Sequence, residues 1–290
     1  MPPATRRPSA PGFTVYDRRA WSQRPAGPTP VLPSAEGPGE VIGPGEVAEV
    51  YGPLRAVLEE RMAAGPSPYV VAVAGGVAVG KSTTARLLRG LLSTADRRVE
   101  LVATDGFLYD NRALVARGLL EKKGFPETYD LDALAACLTE LRAGRAPVEI
   151  PVYSHERYDV VPGRRHAVGR ADVVVVEGLH LLGPGPPAGP ALRDLVDFGI
   201  YLDAREADVE RWFSERLGAL RAGVAAEPDS PLQFLVALDD ESLAAVARGV
   251  WATTNAVNLR RHIEPTREAA DLVLEKGPDH AVRRVRLRGA

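Results

Sequence analysis

The segment Gly75, Gly76, Val77, Ala78, Val79, Gly80, Lys81, Ser82 fits the pattern G-x-x-x-x-G-K-[ST], with Thr83 next in the chain. Glycines at the turn let backbone N–H groups point inward around phosphate oxygens. A helix opening at Lys81 adds partial positive charge at the same place. Lys81 is then placed to reach the terminal phosphates, and the Ser82 hydroxyl to bind a magnesium ion. The loop by itself does not separate ATP-dependent transfer from GTP hydrolysis. No Asn-Lys-x-Asp guanine signature follows, which disfavours a GTPase.

Two carboxylates stand where such a loop needs them. Asp105 lies just past a strand-like run at 99–103, and Glu177 just past another at 172–176. In open α/β sheets, chemistry lies beyond the carboxyl ends of the strands. Transfer of a phosphoryl group to an alcohol needs a base for the hydroxyl proton and a group that orders the metal and its water. Asp105 is the candidate base and Glu177 the candidate metal-side acid. Each is followed by glycine, which predicts a sharp exit turn.

The elements that must hold these groups are legible as alternating patterns. Residues 69–74 form a short, Val-rich apolar run, the pattern of a buried strand. Residues 81–92 place Leu87, Leu88, Leu91 and Leu92 on one side of a helix. Strands are predicted at 99–103, 172–176, 198–202, 272–275 and 282–287. Helices are predicted at 47–64, 131–141, 205–221 and, in large part, 243–263. Strands alternating with helices imply an α/β fold, a mostly parallel sheet with helices on both faces. Residues 1–45 are rich in Pro, Gly and Ala and read as a largely flexible arm. An aromatic island at 13–21 within them is expected to pack on the body. Residues 46–290 read as one domain.

Composition excludes several classes. The formal net charge is −2 over 290 residues, which gives no basic field for nucleic acid. The one cysteine, Cys137, rules out an internal disulfide and suits a reducing compartment. No leader-like or membrane-spanning apolar run is evident, so a soluble cytoplasmic protein is expected.

Longer strings carry a resemblance. AGGVAVGKSTTARLL, TDGFLYDN, KKGFPETYD, PVYSHERYD, EGLHLL, IEPTRE and DHAVRRVRLR, with YDRRAW and EVAEVYGPL near the start, are similar to bacterial type I pantothenate kinases along nearly the whole chain. Phosphate loops are widely shared, whereas KKGFPE and PVYSH in this order are far more specific. The resemblance implies a P-loop kinase that moves the γ-phosphoryl of ATP, with Mg²⁺, to the primary hydroxyl of pantothenate. It implies a homodimer and inhibition by coenzyme A in competition with ATP. Carried over by position, Lys81 and Ser82 hold phosphates and metal, and Asp105 is the base. Tyr153, His155, Tyr158 and Asn255 face pantothenate, and Arg216 contacts substrate and the transferring phosphate. Arg86 and His155 match coenzyme A positions, and His280 lies near the adenine.

The chain departs from the family pattern on one helical face. Phe213 stands where a tyrosine is usual, and Leu217 and Leu220 stand where bulky residues are common. His180 replaces a usual asparagine. Two other readings remain open from the sequence. One is a P-loop kinase of another small alcohol, such as a nucleoside or sugar phosphate. The other is a nucleotide-binding regulator without transfer activity, against which the presence of both Asp105 and Lys81 argues.

Overall fold

The computed structural model describes residues 7–8, 12–26, 35–37 and 40–289. In chain order, β1 (Arg7–Pro8) and β2 (Phe13–Asp17) lead into α1 (Arg18–Ser22). β3 (Ala35–Gly37) and β4 (Glu40–Ile42) pair as a separate small ribbon. α2 (Pro44–Glu46), a π turn (Val47–Tyr51) and α3 (Gly52–Ala63) run on as one helical stretch. β5 (Tyr69–Gly75), α4 (Lys81–Leu92) and β6 (Val99–Ala103) follow. Next come α5 (Asn111–Ala116), α6 (Leu131–Arg142) and the two strands β7 (Val148–Ser154) and β8 (Asp159–Val168). β9 (Val173–Gly178), β10 (Phe198–Asp203), α7 (Glu206–Val224), α8 (Asp240–Val250) and α9 (Ala256–Asn258) precede the last strands, β11 (Leu272–Lys276) and β12 (Val282–Arg288).

The main sheet has the order β1-β2-β12-β11-β10-β5-β9-β6. Strands β11, β10, β5, β9 and β6 are parallel, while β12 and β2 are added antiparallel at one side. The period of two along β5 explains how it is buried on both faces. Val71 and Val73 join one apolar cluster with Leu87, Leu88 and Leu91 of α4. Val70, Ala72 and Ala74 join the other with Leu134, Leu138 and Leu141 of α6. Side chains alternate across a strand, so one short run serves two cores.

Local chemistry starts the helices where they are needed. The carboxylates of Asp110, Asp130 and Asp239 accept hydrogen bonds from the backbone N–H groups of Ala113, Ala133 and Ser242, capping α5, α6 and α8. The region 251–263 is helical but interrupted by π turns at Trp251–Asn255 and Leu259–Ile263.

Of the arm predicted over residues 1–45, residues 7–8, 12–26, 35–37 and 40–45 are described, and the rest lie outside the described residues. Its aromatic island is a built part of the body: Phe13, Tyr16 and Trp21 are buried, and Trp21 Nε1 donates to Val50 O at 2.9 Å. Residues 148–168, for which no element is predicted, form a hairpin whose second strand is mostly exposed. Among the described residues, no helix is long and apolar enough to cross a membrane.

Candidate active site

The phosphate loop joins β5 to α4. Gly75 has φ +146°, and a Cβ there would lie 2.6 Å from Leu202 O on the neighbouring strand. Ala78 and Gly80 also take positive φ, +59° and +95°, so the loop folds back on itself before α4 begins. From the end of β11, buried Lys276 donates to Val79 O at 3.0 Å and ties the loop to the sheet. Lys81 Nζ donates to Gly76 O at 2.7 Å. Burial pulls the Lys81 ammonium down to about 8, against the opposing charges of Glu177 and Asp105.

Glu177 ends β9, between the strands that deliver the loop and Asp105. Ser82 Oγ donates to Glu177 Oε1 at 2.8 Å. Burial first, and the Asp105 charge second, hold the Glu177 carboxyl above its ordinary value. Asp105 sits just past β6 in a 3₁₀ turn, Thr104–Phe107, where the Tyr129 hydroxyl donates to its Oδ1 at 3.3 Å.

The glycines after both acids serve a different purpose from the one predicted. Neither Gly106 nor Gly178 has positive φ. What they permit is close approach. A Cβ on Gly106 would lie 2.0 Å from Pro151 O of β7, and one on Gly178 would lie 1.9 Å from Thr104 Oγ1. The turn bearing Asp105 is thus pressed between β9 and the hairpin.

That hairpin carries the next set of groups. Tyr153 ends near the tip of β7, His155 lies in the turn, and Tyr158 takes a positive φ of +50° before β8. The Tyr158 carbonyl accepts from Lys123 Nζ at 2.6 Å and from Asn111 Nδ2 at 2.9 Å. Lys123 also donates to Asn111 Oδ1 at 2.6 Å and stands 4.3 Å from the Tyr158 ring centre. Burial brings its ammonium down to about 8, while Asp159 pulls the other way. The Tyr153 and His155 rings meet edge to face at 5.3 Å. From α7, Arg216 Nη2 donates to His155 Nε2 at 3.3 Å. Arginine can only donate, so His155 accepts there as a neutral ring with its proton on Nδ1. Burial lowers its pKa, which agrees with that form.

One cavity collects residues far apart in sequence: Ala78, Gly80, Lys81, Ser82, Thr83, Arg86, His155 and Arg216 line it. Tyr153, Tyr158, Phe213, Asn255 and His280 are outside that lining. Phe213 is half-buried and tilts against Trp251 at 6.0 Å, and Leu217 and Leu220 are half-buried on the same helix. Asn255 is half-buried at the end of its π turn. His280, with φ +64°, stacks on Trp212 at 3.9 Å, and both of its ring nitrogens are buried without a hydrogen-bond partner. Burial brings its pKa to about 4.

Sequence reasoning missed Lys123, Asn111, Tyr129 and Lys276. Lys123 and Tyr129 stand inside KKGFPETYD, a string that carried the resemblance without revealing what its residues touch. Lys276 closes a strand-like run and gave no signal of its own.

A phosphate loop on a central parallel strand, with acids at the ends of the two strands beside it in turn, defines a P-loop kinase. The profile of the Phosphoribulokinase / Uridine kinase family matches residues 70–216. A curated pantothenate kinase of Sorangium cellulosum is 44% identical, over 95% of this chain and 97% of its own. One from Corynebacterium glutamicum is 42% identical over 99% of each chain. The solved D-glycerate 3-kinase of Cryptococcus neoformans superposes with a TM-score of 0.54 at 16% identity, covering 79% of this chain and 96% of that one, and shows the common fold. The chain belongs to the pantothenate kinase family.

Proposed function

We propose that this kinase transfers the γ-phosphoryl group of ATP to the primary hydroxyl of pantothenate, giving 4′-phosphopantothenate on the route to coenzyme A. The observation that carries the reading is the convergence of His155 and Arg216 on the phosphate loop, with Asp105 pressed between that loop's sheet and the hairpin. Relatives more than 40% identical over nearly their whole length bear the same substrate in their names.

In the reaction, the acceptor oxygen forms a bond to the γ-phosphorus as the bond to the bridging oxygen breaks, and ADP leaves. Asp105 takes the hydroxyl proton. Lys81 and the loop N–H groups hold the β- and γ-phosphates, and Arg216 offers a planar fork to charge developing on the transferred group. The carbonyl contact of Lys81 with Gly76 is exchanged for phosphate oxygens on nucleotide binding.

The donor set suits magnesium. Ser82 and Glu177 offer one hydroxyl and one carboxylate side by side, and Mg²⁺ commonly takes one or two protein oxygens beside those of the phosphates. Among the described residues, no group of three or more His, Cys, Asp or Glu could hold a metal alone, as fits an ion shared with the nucleotide. When bound, the ion neutralises charge on the β- and γ-oxygens.

Tyr153, Tyr158 and Asn255 supply hydroxyl and amide groups for the carboxylate, amide and hydroxyls of pantothenate, with Phe213 as apolar wall. His280 offers a ring near the adenine. Arg86 and His155, at the phosphate mouth, are the groups through which coenzyme A would compete with ATP. A cytoplasmic homodimer completes the proposal.

ADP release measured across pantothenate, pantetheine, uridine and ribulose 5-phosphate tests it. Pantothenate should be turned over fastest; preference for uridine or ribulose 5-phosphate would replace the reading. Asp105→Ala should lower single-turnover transfer about 10²–10⁴-fold while ATP binding persists.

A further inference from the structure

We propose that Tyr129 is a positioning residue for the base: its hydroxyl engages one carboxylate oxygen of Asp105 and so aims the other at the acceptor hydroxyl. The proposal rests on the reading of Asp105 as the base.

The contact is built into the backbone. Residues 128–130 run antiparallel to the Asp105 turn, with a bridge between Leu108 and Tyr129. Tyr109 N donates to Thr128 O at 2.9 Å, and Asp130 N donates to Phe107 O at 2.8 Å. These two bonds bracket Tyr129 and fix its register against Asp105. The strings TDGFLYDN and KKGFPETYD are therefore one structural unit.

The ring is held from its other side as well. His180 meets Tyr129 edge to face at 5.4 Å and 82°. His180 Nε2 lies 2.7 Å from Gly124 O, a carbonyl that can only accept, so the proton is on Nε2 and the ring orientation is set. Asn258 Nδ2 donates to the same carbonyl at 2.8 Å. Two donors from separate parts of the chain thus anchor the loop that carries Tyr129. Burial, then the nearby Asp105 charge, hold the Tyr129 phenol well above its ordinary range, so it remains a donor. A carboxylate with one oxygen engaged has lost its freedom to rotate, and reacting groups held in line gain most from such restriction.

Tyr129→Phe removes the hydroxyl and keeps the ring. We expect kcat for pantothenate to fall about tenfold, the scale of one hydrogen bond to a charged group. KM for ATP should stay within about twofold, as the phosphate loop is untouched. In an Asp105→Ala background the same change should cost less than about twofold in single-turnover transfer, because the residue it acts through is gone. An unchanged kcat in Tyr129→Phe overturns the proposal while leaving the pantothenate reading intact. Equal losses with and without Asp105 also overturn it, by showing a general packing role. If wild-type enzyme does not phosphorylate pantothenate, the reading and the proposal fall together.

Discussion

Gly106→Ala adds one methyl group between the catalytic turn and the acceptor hairpin. The new Cβ would lie 2.0 Å from Pro151 O, a backbone atom that cannot rotate away. An ordinary carbon–oxygen contact is about 3.3 Å, so the Asp105 turn and β7 must separate by about 1.3 Å. Overpacking of this kind costs about 1–3 kcal/mol of stability. In a chain of this size that is a fall of about 2–4 °C in melting temperature per kcal/mol. The effect on catalysis is larger. A misplacement of about 1 Å between base and acceptor can cost about 10²-fold in rate. The phosphate loop stands on β5 and α4, away from the Gly106–Pro151 contact, so ATP affinity should hold within about threefold. Coupled ADP release gives kcat, calorimetric titration gives ATP affinity, and a thermal scan confirms folding. A folded Gly106→Ala protein with kcat within threefold of wild type would refute the claim that this contact sets the distance from Asp105 to the acceptor.

Three further outcomes follow from the same structure. His180 is buried with its pKa brought down to about 4 from 6.5. The unfolded chain binds the extra proton between those values, so stability falls as pH drops from 6.5 to 4, by up to about 3 kcal/mol from this group; urea melts of wild type and His180→Asn should diverge over that window, and identical slopes would disprove the assignment. Leu217 and Leu220 stand on the α7 face where the family commonly has Phe, or another bulky residue at the second position; each aromatic contact to the pantetheine arm of coenzyme A lost in this way would cost about 0.5–1.5 kcal/mol beyond area. Coenzyme A titrated into the kinase assay should therefore inhibit only above micromolar levels, and submicromolar inhibition would contradict this. Burial pushes the Cys137 thiol up to about 12, so a thiol reagent should modify the native protein only after denaturation; one equivalent reacting within seconds under native conditions would show the α6 core to be open.

The parallel core was readable because β5, β9 and β10 are buried on both faces and appear as largely apolar runs, while β6, interrupted by Glu100 and with only Val102 buried, carries a weaker form of the pattern. The phosphate loop, Asp105 and Glu177 followed from their places at the ends of those runs. The β7–β8 hairpin was hidden for the opposite reason. Its second strand is mostly exposed and includes Pro162, Gly163, Arg164 and Arg165, so neither alternation nor burial marks it. The convergence of Arg86, His155 and Arg216 came from resemblance alone, since no periodicity relates an α4 residue, a hairpin turn and α7. The role of Gly106 and Gly178 was misjudged because a sequence shows a missing side chain but not the atom that occupies its space. Tyr129 was overlooked because its partner is set by a bridge between two loops.

The place of β2 in the sheet has a consequence for how the protein is made. Phe13 to Asp17 pair with Arg288 to Arg284, partners about 270 residues further along the chain. During synthesis β2 has only the two-residue β1 beside it until β12 emerges, and β12 itself pairs with β11. The parallel strands also wait on one another: β5 and β6 both pair with β9, which is made after them, and β10 then adds beside β5 and β11 beside β10. The contacts of Phe13 with Arg286 and Arg288, and the pairing of β2 with β12, are therefore among the last to form, and this side of the sheet closes late.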